Sequence, residues 1–246
     1  DLHKYNGDPD FNAVPTERLI SKEYAASLCA SIDMKKARPT AEARTPDSGT
    51  VYLTTADSEG NMVSFIYSIF AEFGSGIMVP GYGFVLNDRG AQFNLDPDSP
   101  NVIAPNKRPF HTLIPAFLMK DGRPVVSFGL MGGGQQAQGH AQVVVDMVDF
   151  GANVQAASDA ARFAHSQQSD TLELESELYR LVGAELAARG HKVKSGTGVN
   201  MGGYQAIRFV PELAGSYPGP ERPGGPLNGA WVGGSDHRKD GAAVGW

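Results

Sequence analysis

The stretch that decides the fold runs from Ser48 to Phe73 and reads SGTVYLTTADSEGNMVSFIYSIFAEF. Residues 51–56 and 62–70 are rich in β-branched and aromatic residues, and turn-forming residues at 57–61 separate them. This pattern predicts a β-hairpin. Its first strand begins at Thr50, directly after Gly49, so a hydroxyl side chain stands at the junction between a loop and a strand.

A threonine that follows a glycine in this position has a chemical use. Its hydroxyl can attack the carbonyl of Gly49 and cut the chain, which leaves Thr50 as a new N-terminal residue. The free α-amine of such a residue has a pKa near ~7.7–8.0 and acts as a base for the adjacent hydroxyl. The alternative is that the dipeptide is only a junction between a linker and a strand.

Composition narrows the class of protein. The chain has 246 residues, of which 41% are hydrophobic and 20% charged, and its net charge is −6, which fits a soluble globular protein of one or two domains. Mild acidity without a basic patch argues against nucleic acid as a partner. The single cysteine, Cys29, excludes an internal disulfide framework and a cysteine-rich metal site. No cofactor or metal is predicted, and no apolar run is long enough to cross a membrane. Composition assigns no compartment.

The remaining pattern alternates between strands and helices, with an exposed linker at 40–48 and a Pro/Gly-rich loop at 214–227. Helices are predicted at 21–32 (capped by Ser21 and with one buried face), 137–149, 154–164 and 177–189. Strands are predicted at 84–86, 113–119, 125–130, 171–175, 204–210 and from Trp231 onward, with a tight turn at 120–123. Strands followed by helices and then by more strands indicate an α+β layered domain.

Six short motifs occur in a fixed order along the chain. They are GDPDF (7–11), the hairpin ending in DSEGN (57–61), FGSG (73–76), GFVLN (83–87), PNKRP (105–109) and GLMGG (129–133). Together they resemble the γ-glutamyltransferase family of N-terminal-nucleophile hydrolases over nearly the whole chain. The pattern is similar to that of divergent members, such as glutaryl-cephalosporin acylases and oxamate amidohydrolase-like enzymes.

The resemblance implies a four-layer αββα sandwich and a chain cut in two. Residues 1–49 would be the C-terminal tail of a large subunit with its linker, and residues 50–246 would be the catalytic small subunit. The partner would then be the large subunit of the same precursor, in a possible heterotetramer of two large and two small subunits, with no nucleic acid or membrane partner.

Four residues are expected to carry the chemistry. Thr50 is the expected nucleophile, and the resemblance assigns Ser68 as the hydroxyl that bonds to it. Gly132 and Gly133 stand between a predicted strand and a predicted helix, where backbone N–H groups can stabilise an oxyanion. The alternatives for the glycines are a tightly packed turn or a phosphate loop, and the Lys-Ser/Thr that follows in a phosphate loop is missing.

Five further residues are expected to bind substrate, namely Phe70, Arg89, Gln92, His111 and Thr112. Relatives are expected to have an asparagine, an amide, an aspartate and two serines at these positions, and there the aspartate faces an α-ammonium. Arginine repels an ammonium but binds a carboxylate bidentately. The site is therefore predicted to suit a γ-glutamyl group poorly and to favour an acyl group that ends in a carboxylate and carries no amine. A solvated loop arginine and structural histidines, at 111 and at His140, are the alternatives.

The expected function is that of an amide hydrolase or acyl transferase that cleaves a γ-glutamyl-like or dicarboxylic monoamide bond of a small molecule through an acyl-enzyme on Thr50. One alternative is a true γ-glutamyltransferase, or glutathione hydrolase. Another alternative, from a different class, is a non-catalytic binding module with the same fold.

Overall fold

The computed structural model describes residues 1–38, 49–213 and 229–245, so the predicted linker at 40–48 and the predicted loop at 214–227 lie outside the described residues. The helices are α1 Leu2–Tyr5, α2 Thr16–Leu19, α3 Lys22–Ala30, α4 Gln135–Val148, α5 Val154–Asp159 and α6 Ser176–Ala188. The strands are β1 Gly49–Ala56, β2 Met62–Phe70, β3 Ala116–Lys120, β4 Arg123–Met131, β5 Phe163–Ser166, β6 Thr171–Glu175, β7 Lys192–Gly196, β8 Gly203–Val210 and β9 Ala230–Ser235.

The predicted hairpin is confirmed as strands β1 and β2, which pair antiparallel. The pairing is regular from Ala56 to Thr50, where Thr50 lies opposite Ser68. It then slips by one residue, because Gly49 lies opposite Phe70. Such a β-bulge increases the local twist and redirects side chains, and bulges are frequent beside active sites. The irregularity falls at the Gly49–Thr50 bond.

A second sheet contains four antiparallel strands in the order β3-β4-β8-β9. The predicted turn between β3 and β4 is confirmed, since Asp121 and Gly122 both have positive φ, at 52° and 74°. Two consecutive positive φ values are those of the tight hairpin turns that match strand twist.

The hairpin packs face to face on the second sheet, and helix α4 covers the opposite face of that sheet. The ring of Tyr52 lies where a side chain at position 129 would be, so only glycine fits there. Thr54 donates a hydrogen bond of 2.6 Å to Ser127. On the helix side, Leu130, Val143 and Tyr204 are fully buried, and each buried aliphatic side chain contributes about 1.5–3 kcal/mol.

The layers therefore run helix, sheet, sheet, and the fold class is α+β as predicted. The outer face of the hairpin is apolar and exposed in the described part of the chain. It carries five side chains that are about half exposed: Val51, Leu53, Val63, Phe65 and Tyr67.

A third sheet, in the order β5-β6-β7, follows helix α5. Strands β6 and β7 are parallel, and α6 crosses between them. A fully buried ion pair joins this region to the end of β9, where Arg162 Nη1 lies 2.7 Å from Asp236 Oδ2. The same carboxylate accepts a bond from the Tyr204 N–H at the start of β8.

Some element predictions were wrong. Ser21 does cap α3, accepting a bond from the Tyr24 N–H, but no residue of that helix is buried and the helix ends at Ala30. The helix predicted at 154–164 ends at Asp159, and β5 and β7 were not predicted. Residues 84–86 form only an isolated bridge through Val85. Short strands with mixed polarity carry too little periodicity to be recognised.

Candidate active site

The Gly49–Thr50 dipeptide, which the sequence predicts as the cleavage site, lies against the hydroxyl group of Ser68. Ser68 Oγ lies 3.1 Å from Thr50 Oγ1 and 3.2 Å from the carbonyl oxygen of Gly49. The Phe70 N–H donates to the same hydroxyl oxygen at 3.0 Å. The hydroxyls of positions 50 and 68 meet because the two residues are paired across the hairpin on its inner face.

Arg89 enters this cluster from a 3-10 helix at Arg89–Gln92. Its Nη2 donates to Ser68 Oγ at 2.8 Å and its Nη1 donates to Thr112 Oγ1 at 3.2 Å. The guanidinium lies 4.7 Å above the Phe70 ring, and the residue is only 4% exposed. Burial lowers the pKa of Arg89, and the charge of Asp88 opposes that shift. Among the residues that the structure describes, no carboxylate forms an ion pair with Arg89, which a buried cation ordinarily requires.

Phe70 holds an unusual backbone conformation beside the same bond. Its φ is +77°, which is a region that bulky residues rarely adopt, and its side chain is 4% exposed. Such a conformation costs about 1–3 kcal/mol and persists only where the surroundings impose it. The following turn is held by Asp88, which accepts a bond from the Ala71 N–H at 3.0 Å and donates its own N–H to Ile69.

Gly49 is required for space and not for backbone freedom. Its φ is not among the positive values. A Cβ at this position would lie 2.8 Å from Glu72 Cα and 3.2 Å from the Ala71 carbonyl oxygen. Because both neighbours are backbone atoms, they cannot rotate away from an added side chain. Any residue larger than glycine at position 49 would therefore displace the Gly49–Thr50 peptide bond.

Gly132 and Gly133 form the turn from β4 into α4, with φ of 129° and 55°. The contacts between the sheets locate this turn relative to Thr50. Thr54 bonds to Ser127, and Tyr52 lies over Gly129. Moving two residues toward the N-terminus of β1 therefore corresponds to moving two residues toward the C-terminus of β4. By the same period, Thr50 is level with the end of β4, directly before the glycine pair.

A second set of contacts joins the glycine turn to the Arg89 cluster. Gln136, in the first turn of α4, accepts a bond from the Ile114 N–H at 3.0 Å, and His140 Nε2 lies 3.0 Å from the Ile114 carbonyl oxygen. Residue 114 is two residues after Thr112, which bonds to Arg89. Burial lowers the pKa of His140, while its two backbone bonds oppose the shift. His140 thus holds α4 against the loop that contains Thr112 and Ile114.

The other two predicted substrate residues are placed differently. Gln92 lies in the same short helix as Arg89, and its buried Nε2 has no hydrogen-bond partner among the described residues. His111 is exposed, and its Nδ1 lies 2.7 Å from the Pro109 carbonyl oxygen. The structure therefore brings Thr50, Ser68, Phe70, Arg89 and Thr112 into one cluster, whereas the His111 side chain contacts the carbonyl group of Pro109.

Sequence reasoning missed the residues that hold this cluster in place. Asp88 and Gln136 act through single bonds to backbone N–H groups, and no short motif distinguishes them from surface residues. The region described contains no group of three or more His, Cys, Asp or Glu side chains placed to hold a metal ion. None of the helices in that region has the length and apolarity of a membrane span.

An α+β sandwich in which a threonine starts the inner face of a hairpin defines the class of N-terminal-nucleophile hydrolase folds. The chain belongs to the γ-glutamyltranspeptidase family, whose model matches residues 1–246. Its similarity to acylases and amidohydrolases makes it a divergent member.

Two curated relatives are each 35% identical to this chain. They are the glutathione hydrolase-like YwrD proenzyme of Bacillus subtilis and the oxamate amidohydrolase proenzyme of Klebsiella pneumoniae, and each alignment covers 97% of the chain and 43% of the relative. The chain thus spans about two fifths of the length of these relatives.

Solved structures show the same similarity. Cephalosporin acylase from Bacillus halodurans is 39% identical with a TM-score of 0.84, over 99% of this chain and 42% of that one. γ-Glutamyltranspeptidase from Pseudomonas nitroreducens, complexed with L-DON, is 29% identical with a TM-score of 0.66. That match covers 79% of this chain and 98% of the other.

Proposed function

We propose that this chain is the C-terminal part of a self-cleaving amide hydrolase or acyl transferase, with Thr50 as nucleophile, and that its acyl donor ends in a carboxylate. The single observation that carries the proposal is the buried guanidinium of Arg89. It lies one hydroxyl group away from Thr50 and has no carboxylate partner in the described chain.

Cleavage between Gly49 and Thr50 is supported by the geometry of that bond and by the relatives. The Thr50 hydroxyl attacks the Gly49 carbonyl carbon, and the C–N bond breaks as the hydroxyl proton passes to the leaving Thr50 amine. Water then hydrolyses the resulting ester, which releases Gly49 as a carboxylate and regenerates the Thr50 hydroxyl. The curated relatives are named proenzymes. A chain of residues 50–246 would be about four fifths of the sequence, in agreement with the 79% that matches almost the whole of a separate transpeptidase chain.

In the cleaved enzyme the same threonine would turn over amides. The α-amine of Thr50, with an ordinary pKa near ~7.7–8.0, takes the hydroxyl proton as the oxygen attacks the substrate carbonyl. Backbone N–H groups of the Gly132–Gly133 turn would stabilise the oxyanion, because that turn follows the end of β4 level with Thr50. Departure of the amine leaves an acyl-enzyme, which water or an amine acceptor then resolves.

The groups around Arg89 select an acidic acyl end. Arg89 presents a fixed cation, and Gln92 Nε2 adds a second donor that lacks a partner among the described residues. A carboxylate would accept from the guanidinium, whereas an ammonium would meet a like charge. Phe70, under the guanidinium, gives the floor of this site an apolar surface.

A true glutathione hydrolase remains the second candidate because a relative from Escherichia coli with 33% identity is named glutathione hydrolase proenzyme. That activity requires a group that pairs with the α-ammonium of a γ-glutamyl donor. Such a group would have to lie outside the residues described.

The preceding part of the precursor is also the proposed partner of the hairpin. Five exposed apolar side chains, from Val51 to Tyr67, form one outer face on β1 and β2. In an αββα sandwich a second helix layer covers this face, and the large subunit would supply it. Its burial would make the cleaved subunits stay together.

The test is a measurement on the full-length precursor and on a Thr50→Ala variant. Intact mass and N-terminal sequencing should show that the wild type is cut before Thr50, while the variant stays in one piece and has no amidase activity. Thr50→Ser, which retains a hydroxyl, should still be cut. Persisting amidase activity in a wild type whose backbone is intact at this bond would refute the mechanism. A precursor that stays intact without activity would favour the non-catalytic alternative.

A further inference from the structure

The hydrogen bonds at Ser68 point to a second role for Arg89, and this inference rests on the proposed cleavage at Gly49–Thr50. We propose that Arg89 is a positioning residue for that cleavage. Through the Ser68 hydroxyl, its cation polarises the Gly49 carbonyl group that Thr50 attacks.

The direction of the hydroxyl proton follows from counting donors and acceptors around Ser68 Oγ. Two neighbours can only donate, namely Arg89 Nη2 at 2.8 Å and the Phe70 N–H at 3.0 Å. One neighbour, the carbonyl oxygen of Gly49 at 3.2 Å, can only accept. The fourth neighbour, Thr50 Oγ1 at 3.1 Å, also donates to Ser68 Oγ. Of these four contacts the Gly49 carbonyl oxygen is the one that must accept, so the single hydroxyl proton is directed to it.

This arrangement is an oxyanion site for cutting the chain. When the Thr50 oxygen adds to the Gly49 carbonyl carbon, negative charge develops on the oxygen that the Ser68 hydroxyl already contacts. A cation that donates to a hydroxyl makes it a stronger donor, because hydrogen bonds in a chain polarise one another. Arg89 lies within about two hydrogen-bond lengths of the developing charge and is buried, so water screens it little.

The site of Arg89 is fixed before cleavage, as this role requires. Thr112 holds one end of the guanidinium, the Phe70 ring lies beneath it, and Asp88 anchors the start of its short helix to the end of β2. The same contacts place the guanidinium for an acidic substrate once Gly49 has left. One residue would thus serve two successive acyl transfers, first with the chain itself and then with a substrate.

The test uses freshly synthesised full-length precursor and follows the appearance of the two fragments with time. Arg89→Ala should be cut about ten- to a hundredfold more slowly, which is the loss of one hydrogen bond to a charged group. Arg89→Lys, which retains a cation that can donate to Ser68, should be intermediate. Arg123→Ala is the matched control, because Arg123 is an exposed arginine in the β3–β4 turn, and it should be cut at the wild-type rate.

Chemical rescue separates this role from a structural one. Millimolar guanidinium, far below denaturing concentrations, should speed the cleavage of the Arg89→Ala precursor and leave the Arg123→Ala control unchanged. Wild-type cleavage by Arg89→Ala would overturn the inference. Slow cleavage that guanidinium does not change, together with a lowered melting temperature, would also overturn it. If the wild type itself is not cut before Thr50, the proposed function fails as well, so the two failures are distinguishable.

Discussion

Exchanging the charges around the proposed acyl site should reverse the choice of substrate. The double variant Arg89→Gln, Gln92→Asp removes the buried cation and introduces a carboxylate in the same short helix. Glutaryl and γ-glutamyl donors differ only by the α-ammonium, so their comparison isolates the response to that charge. The wild type should prefer glutaryl donors, and the double variant should shift toward γ-glutamyl donors.

The size of the shift follows from burial and charge. A hydrogen bond to a charged group contributes about 1.5–3 kcal/mol, which corresponds to about ten- to a hundredfold in kcat/KM. Arg89 is only 4% exposed, so its charge acts with little screening by solvent. Positions 89 and 92 lie in one 3-10 turn and share the substrate, so their effects will not simply add. A combined change of about a hundredfold in relative specificity is expected.

The assay compares kcat/KM for γ-glutamyl-p-nitroanilide and glutaryl-p-nitroanilide. Because Arg89 is also expected to affect cleavage of the precursor, each rate is divided by the fraction of cleaved enzyme determined by intact mass. Gln92→Asn is the matched control, because asparagine has the same length as aspartate but carries no charge. It should leave the preference for glutaryl donors in place.

One result would refute this reasoning. If the wild type prefers γ-glutamyl donors by tenfold or more, the α-ammonium must find its counter-ion outside the residues described. The cation of Arg89 would then not decide specificity, and the acyl site would have been assigned the wrong charge.

Three further predictions follow from backbone crowding and buried charge. Gly49→Ala should slow cleavage of the precursor because its Cβ would lie 2.8 Å from Glu72 Cα, whereas Gly90→Ala, with open space around it, should not; a time course of fragment formation decides. Gly133→Ala, at φ 55°, should lower kcat by about 10²-fold or more with a smaller change in KM, if its N–H stabilises the oxyanion; normal turnover in a folded variant would remove the turn from the site. For Asp236, burial raises the pKa, but the charge of Arg162 and the bonds to the carboxylate outweigh it and hold the pKa below its usual value. The ionised carboxylate should stabilise the fold fully above about pH 4, and this stabilisation should be lost as the pH falls through the lower pKa of the folded state. Urea unfolding at several pH values should show the free energy of unfolding falling over that range. Asp236→Asn should weaken this pH dependence and lower the free energy of unfolding by about 3–5 kcal/mol at neutral pH.

The sequence predicted the hairpin, the strands of the second sheet and the helix after the glycine turn because their signals are local. β-Branched runs on both sides of a turn define β1 and β2, and the Asp121–Gly122 pair defines the next hairpin. Helix α3 shows the limit of such signals. Its apolar spacing predicted a buried face, but no residue of α3 is buried in the described chain, because periodicity indicates a face without identifying what covers it.

The site was predictable in its residue types but not in its connections. The Gly-Thr junction and the glycine pair can be read from the sequence, and the resemblance supplies position 68. That Arg89 reaches Ser68, over 21 positions of chain, depends on the positive φ of Phe70 and on a single bond from Asp88. Neither has a sequence pattern, since both arise from tertiary packing that overrides local preference.

The Ser68 hydroxyl therefore links the proposed substrate preference of this chain to its proposed self-cleavage. Ser68 contacts the Thr50 hydroxyl, the Gly49 carbonyl group and the Arg89 guanidinium. A change at position 89 that alters substrate preference should for this reason also alter the rate of self-cleavage. Such coupling limits which arginine replacements a precursor can accept, because a variant that is never cut cannot display its new specificity.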